Sequence, residues 1–133
     1  MCIRDSTSIA KCNKELLTNV LSEDEVLKIA SDTMVGGATL TKLLGTSAWY
    51  APGASVSYLV NAILNDTKEV LPCSVLLEGE YDFQDICIGV PVKIGKNGFE
   101  EVIQLDLNNK DLEMFQNSVS AVKETNSALD GLI

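Results

Sequence analysis

The reactive groups of this chain are mostly carboxylates, and Glu78, Glu80, Asp82 and Asp85 crowd into one short stretch. Such a group could chelate calcium weakly, but the D-x-D/N-x-D/N-G spacing that wraps the ion is absent, so a solvated acidic turn is expected. Cys2, Cys12, Cys73 and Cys87 contain no C-x-x-C pair, and the chain has no histidine. A zinc site would therefore need thiolates and carboxylates alone, and no metal site is expected. Without histidine, Ser–His and Cys–His nucleophile pairs are impossible. The single arginine, Arg4, stands beside the start, which leaves lysines such as Lys42 to hold a carboxylate. A lysine does so as a point charge and cannot copy the two-pronged arginine fork. Neither G-x-G-x-x-G nor G-x-x-x-x-G-K-S/T is present, and Gly95 and Gly98 read as hairpin punctuation. No catalytic residue is expected within the chain.

The elements that could position any site come from a chain of 133 residues, enough for one domain with one core. Hydrophobic residues make up 46% and charged ones 22%, which argues against disorder, while aromatics at 5% leave the core to be built mainly from Val, Leu, Ile and Ala. A net charge of −9 argues against nucleic acid and against anionic membrane surfaces. The longest apolar stretch, residues 48–64, is broken by Pro52, Ser55, Ser57 and Asn61 and falls short of the roughly 20 apolar residues a bilayer span needs. No apolar run follows a basic start, so no secretory signal is expected. Cys73 and Cys87 lie in β-like runs, where reduced cysteine behaves as a small hydrophobe, and a reducing cytoplasmic setting fits.

Ser22 and Glu25 have capping-box spacing, and three acids in the following turn suit the positive helix end. Val26, Ile29, Ala30, Thr33, Gly37, Leu40 and Leu44 then recur at helical spacing, predicting a long helix over residues 23–44. Gly36-Gly37 inside it predicts a kink or, preferably, close approach of another backbone. Residues 45–48 read as a turn, followed by a helix over 50–65 with Pro52 in its first turn. That second helix is apolar on nearly every face, so it should be buried on every face, partly by something outside this chain. Two strands follow. The second places Ile86, Ile88, Val90, Val92 and Ile94 on one core face, and Asn97-Gly98 should supply positive φ for a hairpin into a third strand, residues 99–107. Asn108 should cap a final helix, with Asp111 in the box position and Leu112, Phe115, Val119, Val122 and Leu129 as its apolar stripe. The fold class is α+β: a long kinked helix, a second helix, a three-stranded antiparallel meander and a C-terminal helix.

The stretches "DTMVGGATLTKLLGTSAWYAPGAS" and "PCSVLLEGEYDFQDICIGVPVKIGKNGFEEVIQLDLN" resemble the C-terminal substrate domain of the lactate/malate dehydrogenase family, in particular malate dehydrogenases of the lactate-dehydrogenase-like group. The likeness covers residues 22–129. It implies a parent enzyme that interconverts malate and oxaloacetate with NAD. The family's dinucleotide site lies in an N-terminal Rossmann half, and its catalytic histidine lies in an H-G-D/E segment just upstream of the matching region. The resemblance thus implies a domain that keeps the scaffold while histidine, clamping arginines and NAD site lie elsewhere, so the chain alone should bind no NAD.

Ser47, Ala48 and Pro52 match the family's turn lining the substrate and nicotinamide pocket, although Ser47 could equally be a helix cap. Tyr58, Leu59 and Ile63 are the expected interdomain or oligomer face, the partners being the Rossmann half or a neighbouring subunit of a homo-oligomer. The opening "MCIRDS" resembles translated sequencing-adapter sequence, so residues 1–6 are expected to be a non-native leader and 7–133 the domain. Two other readings remain: part of an L-lactate or other 2-hydroxy-acid dehydrogenase, or a non-catalytic interaction module using its exposed apolar side.

Overall fold

The computed structural model describes residues 7–129, so the leader expected at residues 1–6 lies outside the described residues. Two short strands come first, β1 (Lys11–Cys12) and β2 (Glu15–Leu16), closed by Asn13 and Lys14 at φ 51° and 73°. Positive φ at both loop positions is the hairpin pattern that matches strand twist. A short helix α1 (Leu17–Val20) leads into α2 (Glu23–Leu44), and α3 (Tyr50–Leu64) follows. The sheet then forms from β3 (Glu69–Glu78), β4 (Gln84–Gly95) and β5 (Gly98–Val102), with a 3-10 turn at Glu80–Asp82, before α4 (Asn109–Ser127). The α+β class and the antiparallel β3-β4-β5 order agree with the sequence reading. The first hairpin and α1 were not anticipated, because strands of two residues carry no period.

Alternation in β4 places Ile86, Ile88, Val90, Val92 and Ile94 in the core, all of them buried. Leu77 of β3, Ala62 of α3, and Phe115 and Val119 of α4 close that core from the same side. Cys73 shares the inner face and is half-buried, and burial pushes its thiol up. Cys87 is exposed, because it sits between Ile86 and Ile88 and must point outward. At the β4–β5 turn the positive φ falls on Gly98 alone (96°), whereas Asn97, expected to share it, does not take one.

The third strand ends at Val102, earlier than expected, and Pro91 gives the reason. Ile103 N donates to Pro91 O at 2.8 Å, but proline has no N–H to return to Ile103. The Tyr81 hydroxyl takes that place, donating to Ile103 O at 3.0 Å and accepting from Leu105 N at 2.8 Å. Burial raises the Tyr81 phenol above its ordinary range, with the Leu105 amide opposing. Tyr81→Phe keeps the ring but leaves both backbone groups without this partner. It should lower stability by about 1–3 kcal/mol, read from urea unfolding. A change under about 0.5 kcal/mol would show that water replaces the hydroxyl.

Ser22 caps α2 as expected: Glu25 N donates to Ser22 Oγ at 3.5 Å and Ser22 N donates to Glu25 Oε2 at 2.9 Å. The Ser22 side-chain and backbone bonds hold the Glu25 carboxyl below the usual glutamate range. α2 runs without interruption through Gly36-Gly37, and a Cβ at either position would meet nothing within 4 Å. The close backbone neighbour expected there is therefore absent among the described residues. Only Val26 of this helix is buried. In α4, Asn108 Oδ1 accepts from Asp111 N at 2.9 Å, but Asp111 does not reach back to complete a box. Its carboxylate is buried and accepts from Ser8 Oγ and from Asn108 Nδ2. Leu129, expected in the apolar stripe, lies beyond the last turn of α4 and is exposed.

Candidate functional site

The turn between α2 and α3 is built by backbone geometry first. Gly45 takes the left-handed conformation at φ 68° and ends α2, a position where a Cβ would be strained. Trp49 occupies the cap position of α3 with φ −111° and ψ −16°, and no side chain caps this helix. Ser47 is therefore not the cap. It is exposed, as is Pro52, while Ala48 is half-buried. The first helical bond here runs from Gly53 N to Trp49 O at 2.9 Å. Pro52 falls in the first turn, where its missing N–H breaks no helical bond.

The first turn of α3 contains no acid. Amides ahead of Gly53 thus point out of an uncapped helix start, an arrangement that favours an anion nearby. Lys42, one turn before Gly45, is exposed and adds the nearest basic group on α2. The sequence reading missed Trp49 and Tyr50, whose rings lie 6.2 Å apart with Tyr50 82% exposed. Their signal was present, since the only tryptophan of the chain stands in an otherwise small-residue turn. Nothing in this turn can take or give a proton at neutral pH. Among the described residues no group of three or more His, Cys, Asp or Glu could hold a metal ion.

The residues expected to form an interface divide. Tyr58 is exposed, and its hydroxyl donates to Glu69 Oε2 at 2.6 Å, which raises the phenol. Leu59 and Ile63 instead lie half-buried against the domain's own core. The open side of α3 is carried by Val56, Val60 and Leu64 with Tyr58. The larger exposure is on α2, where Leu27, Ile29, Met34, Val35, Leu40, Leu43 and Leu44 are all exposed, Leu43 at 80%. Sequence reasoning assigned the open face to α3 alone. Among the described residues no helix is long and apolar enough to cross a membrane.

A sheet covered on one face by α3 and α4, with a long helix ending in a small-residue turn at one end, defines a recognisable class. Residues 6–129 match the model for the lactate/malate dehydrogenase, alpha/beta C-terminal domain, and the chain belongs to that family. The malate dehydrogenase of Flavobacterium johnsoniae is 56% identical over 127 residues, covering 96% of this chain and 41% of that protein. Among solved structures, malate dehydrogenase from Salinibacter ruber superposes with a TM-score of 0.90 at 35% identity, covering 95% of this chain and 41% of that one. Lactate dehydrogenase from Cryptosporidium parvum, complexed with lactic acid and β-nicotinamide adenine dinucleotide, superposes at 0.89 with 28% identity, covering 95% and 42%. The chain thus spans about two-fifths of the length of these relatives.

Proposed function

We propose that this chain is the substrate-side domain of an NAD-dependent malate dehydrogenase, the reaction being interconversion of the four-carbon dicarboxylic acids malate and oxaloacetate in the cytoplasm. The observation that carries it is the 56% identity to a malate dehydrogenase across 96% of the chain. Ser47, Ala48 and Pro52 line the substrate and nicotinamide side of the pocket, where the open amides of α3 favour a carboxylate. NAD, held by a Rossmann half, would supply the hydride acceptor. The proton chemistry needs a base poised near the working pH, which must come from outside a chain without histidine. The exposed sides of α2 and α3 meet that Rossmann half and a neighbouring subunit of a homo-oligomer. With the opening residues read as a leader, their deletion should change stability by less than about 0.5 kcal/mol.

The second reading, a lactate-type enzyme, is supported by the lactate dehydrogenase superposition, but its 28% identity is half that of the malate dehydrogenase relative. The test is reconstitution. The purified chain should form no NADH from malate and NAD, and co-expression with the Rossmann half of a similar malate dehydrogenase should restore it. Turnover of lactate in preference to malate would favour the second reading. Malate oxidation by the chain alone would overturn the two-part account.

A further inference from the structure

The described chain contains two groups of elements that scarcely share contacts. Residues 7–44 enclose a small cavity lined by Ala10, Leu17, Val26 and Ile29, and Val26 is the buried residue at its wall. No member of this segment belongs to the core cluster, which is built entirely from α3, the sheet, the strand connections and α4. A long helix with so little packing has little to fix its direction, because helical stability in proteins comes mainly from tertiary contacts.

Among the described residues one hydrogen bond joins residues 7–44 to residues 50–129: Ser8 Oγ donates to Asp111 Oδ2. The acceptor is unusual for its type. Asp111 is 3% exposed, sits in the first turn of α4, and also receives Asn108 Nδ2 at 3.3 Å. A buried carboxylate needs such donors, so the bond is costly to leave unmade. At the other end the segment joins the body through Gly45, left-handed at φ 68°, and the irregular residues 46–49.

We propose that Ser8 and Asp111 form a strap that fixes the α2 arm against the α4 end of the body, with Gly45 and residues 46–49 as its hinge. Asp111 acts as a positioning residue for the arm. The strap rests on contacts within this chain and does not depend on the dehydrogenase reading. Without it the arm opens locally while the sheet stays closed, since the core takes no residue from the arm.

Hydrogen exchange on the full chain, read by mass spectrometry, tests this with Ser8→Ala, Asp111→Ala and Ser8→Thr. Losing a hydrogen bond to a charged group should raise exchange of residues 9–49 on the order of tenfold to a hundredfold. Amides of β4 and α3 should exchange as in the parent chain, and Ser8→Thr, which keeps the hydroxyl, should restore slow exchange in the arm. If Asp111→Ala unfolds α4, Ser8→Ala still removes the donor alone and decides the matter. Unchanged exchange over residues 9–49 in Ser8→Ala, or uniform acceleration along the whole chain, would overturn the strap.

Discussion

Phe115→Ala should lower the stability of the domain by about 3–5 kcal/mol, the range for removing a buried aromatic ring. Phe115 is 3% exposed and stands where three parts of the core meet. Its ring packs edge-on against Tyr81 at 5.2 Å and Phe83 at 5.8 Å, each such pair adding about 0.5–1.5 kcal/mol beyond area burial. Tyr81 is anchored by its hydrogen bonds to residues 103–105, so its ring cannot move in to fill the void. Whole domains are stable by only about 5–15 kcal/mol, so the variant should be largely unfolded at modest urea concentration. Phe115→Leu should cost less than the alanine change, since it leaves a smaller cavity. A loss below about 1 kcal/mol for alanine would mean that α4 is not held by this contact.

In solution the isolated chain should bind a hydrophobic dye strongly and sediment as more than a monomer. Fully burying one Leu, Ile or Val is worth roughly 1.5–3 kcal/mol, and α2 and α3 together expose many such side chains. An apolar surface of this extent marks an interface or an aggregation hazard. Combining Leu43→Lys with Leu64→Lys, at 80% and 78% exposure, should reduce dye fluorescence several-fold. Each should alter stability by no more than about 0.5 kcal/mol, as is usual at exposed positions. Supplying a Rossmann half in trans should suppress dye binding in the unsubstituted chain. A monomer that binds no dye would support the independent interaction module instead.

The parts of this fold that were legible are those where one physical rule acts alone. Strict alternation from Ile86 to Ile94 stated the core face of β4, and the same period turns Cys87 outward. Ser22 and Glu25 announced the start of α2 because capping is a local exchange of hydrogen bonds. What failed depended on partners distant in sequence. Asp111 has the spacing for a box, but Ser8, 103 residues away, claims its carboxylate. Leu59 and Ile63 carry the same apolar signal as Val60 and Leu64, and only the position of the sheet decides which pair is covered. Gly36-Gly37 permits a close neighbour without requiring one. The candidate pocket turn came from resemblance, since small residues at Ser47 and Ala48 have no periodic signature of their own.

Pro91 has one more effect, on the far side of its neighbour. In register it lies opposite Pro72, and its carbonyl is directed toward Ile103 on β5. Backbone polar groups of one strand residue point to one side, so this is a non-hydrogen-bonded pair and the backbone of Pro72 faces away from β4. β3 is an outer strand of the sheet, so the nitrogen without a hydrogen lies on the open margin, near the middle of an extended segment carrying Val70 and Leu76 in solvent. An open margin of that length is a template on which a foreign strand could add rung by rung, and a missing donor at its centre breaks the ladder. Pro72 thus guards the sheet against edge-to-edge growth, while the inner Pro91 leaves an unreturned bond that Tyr81 fills.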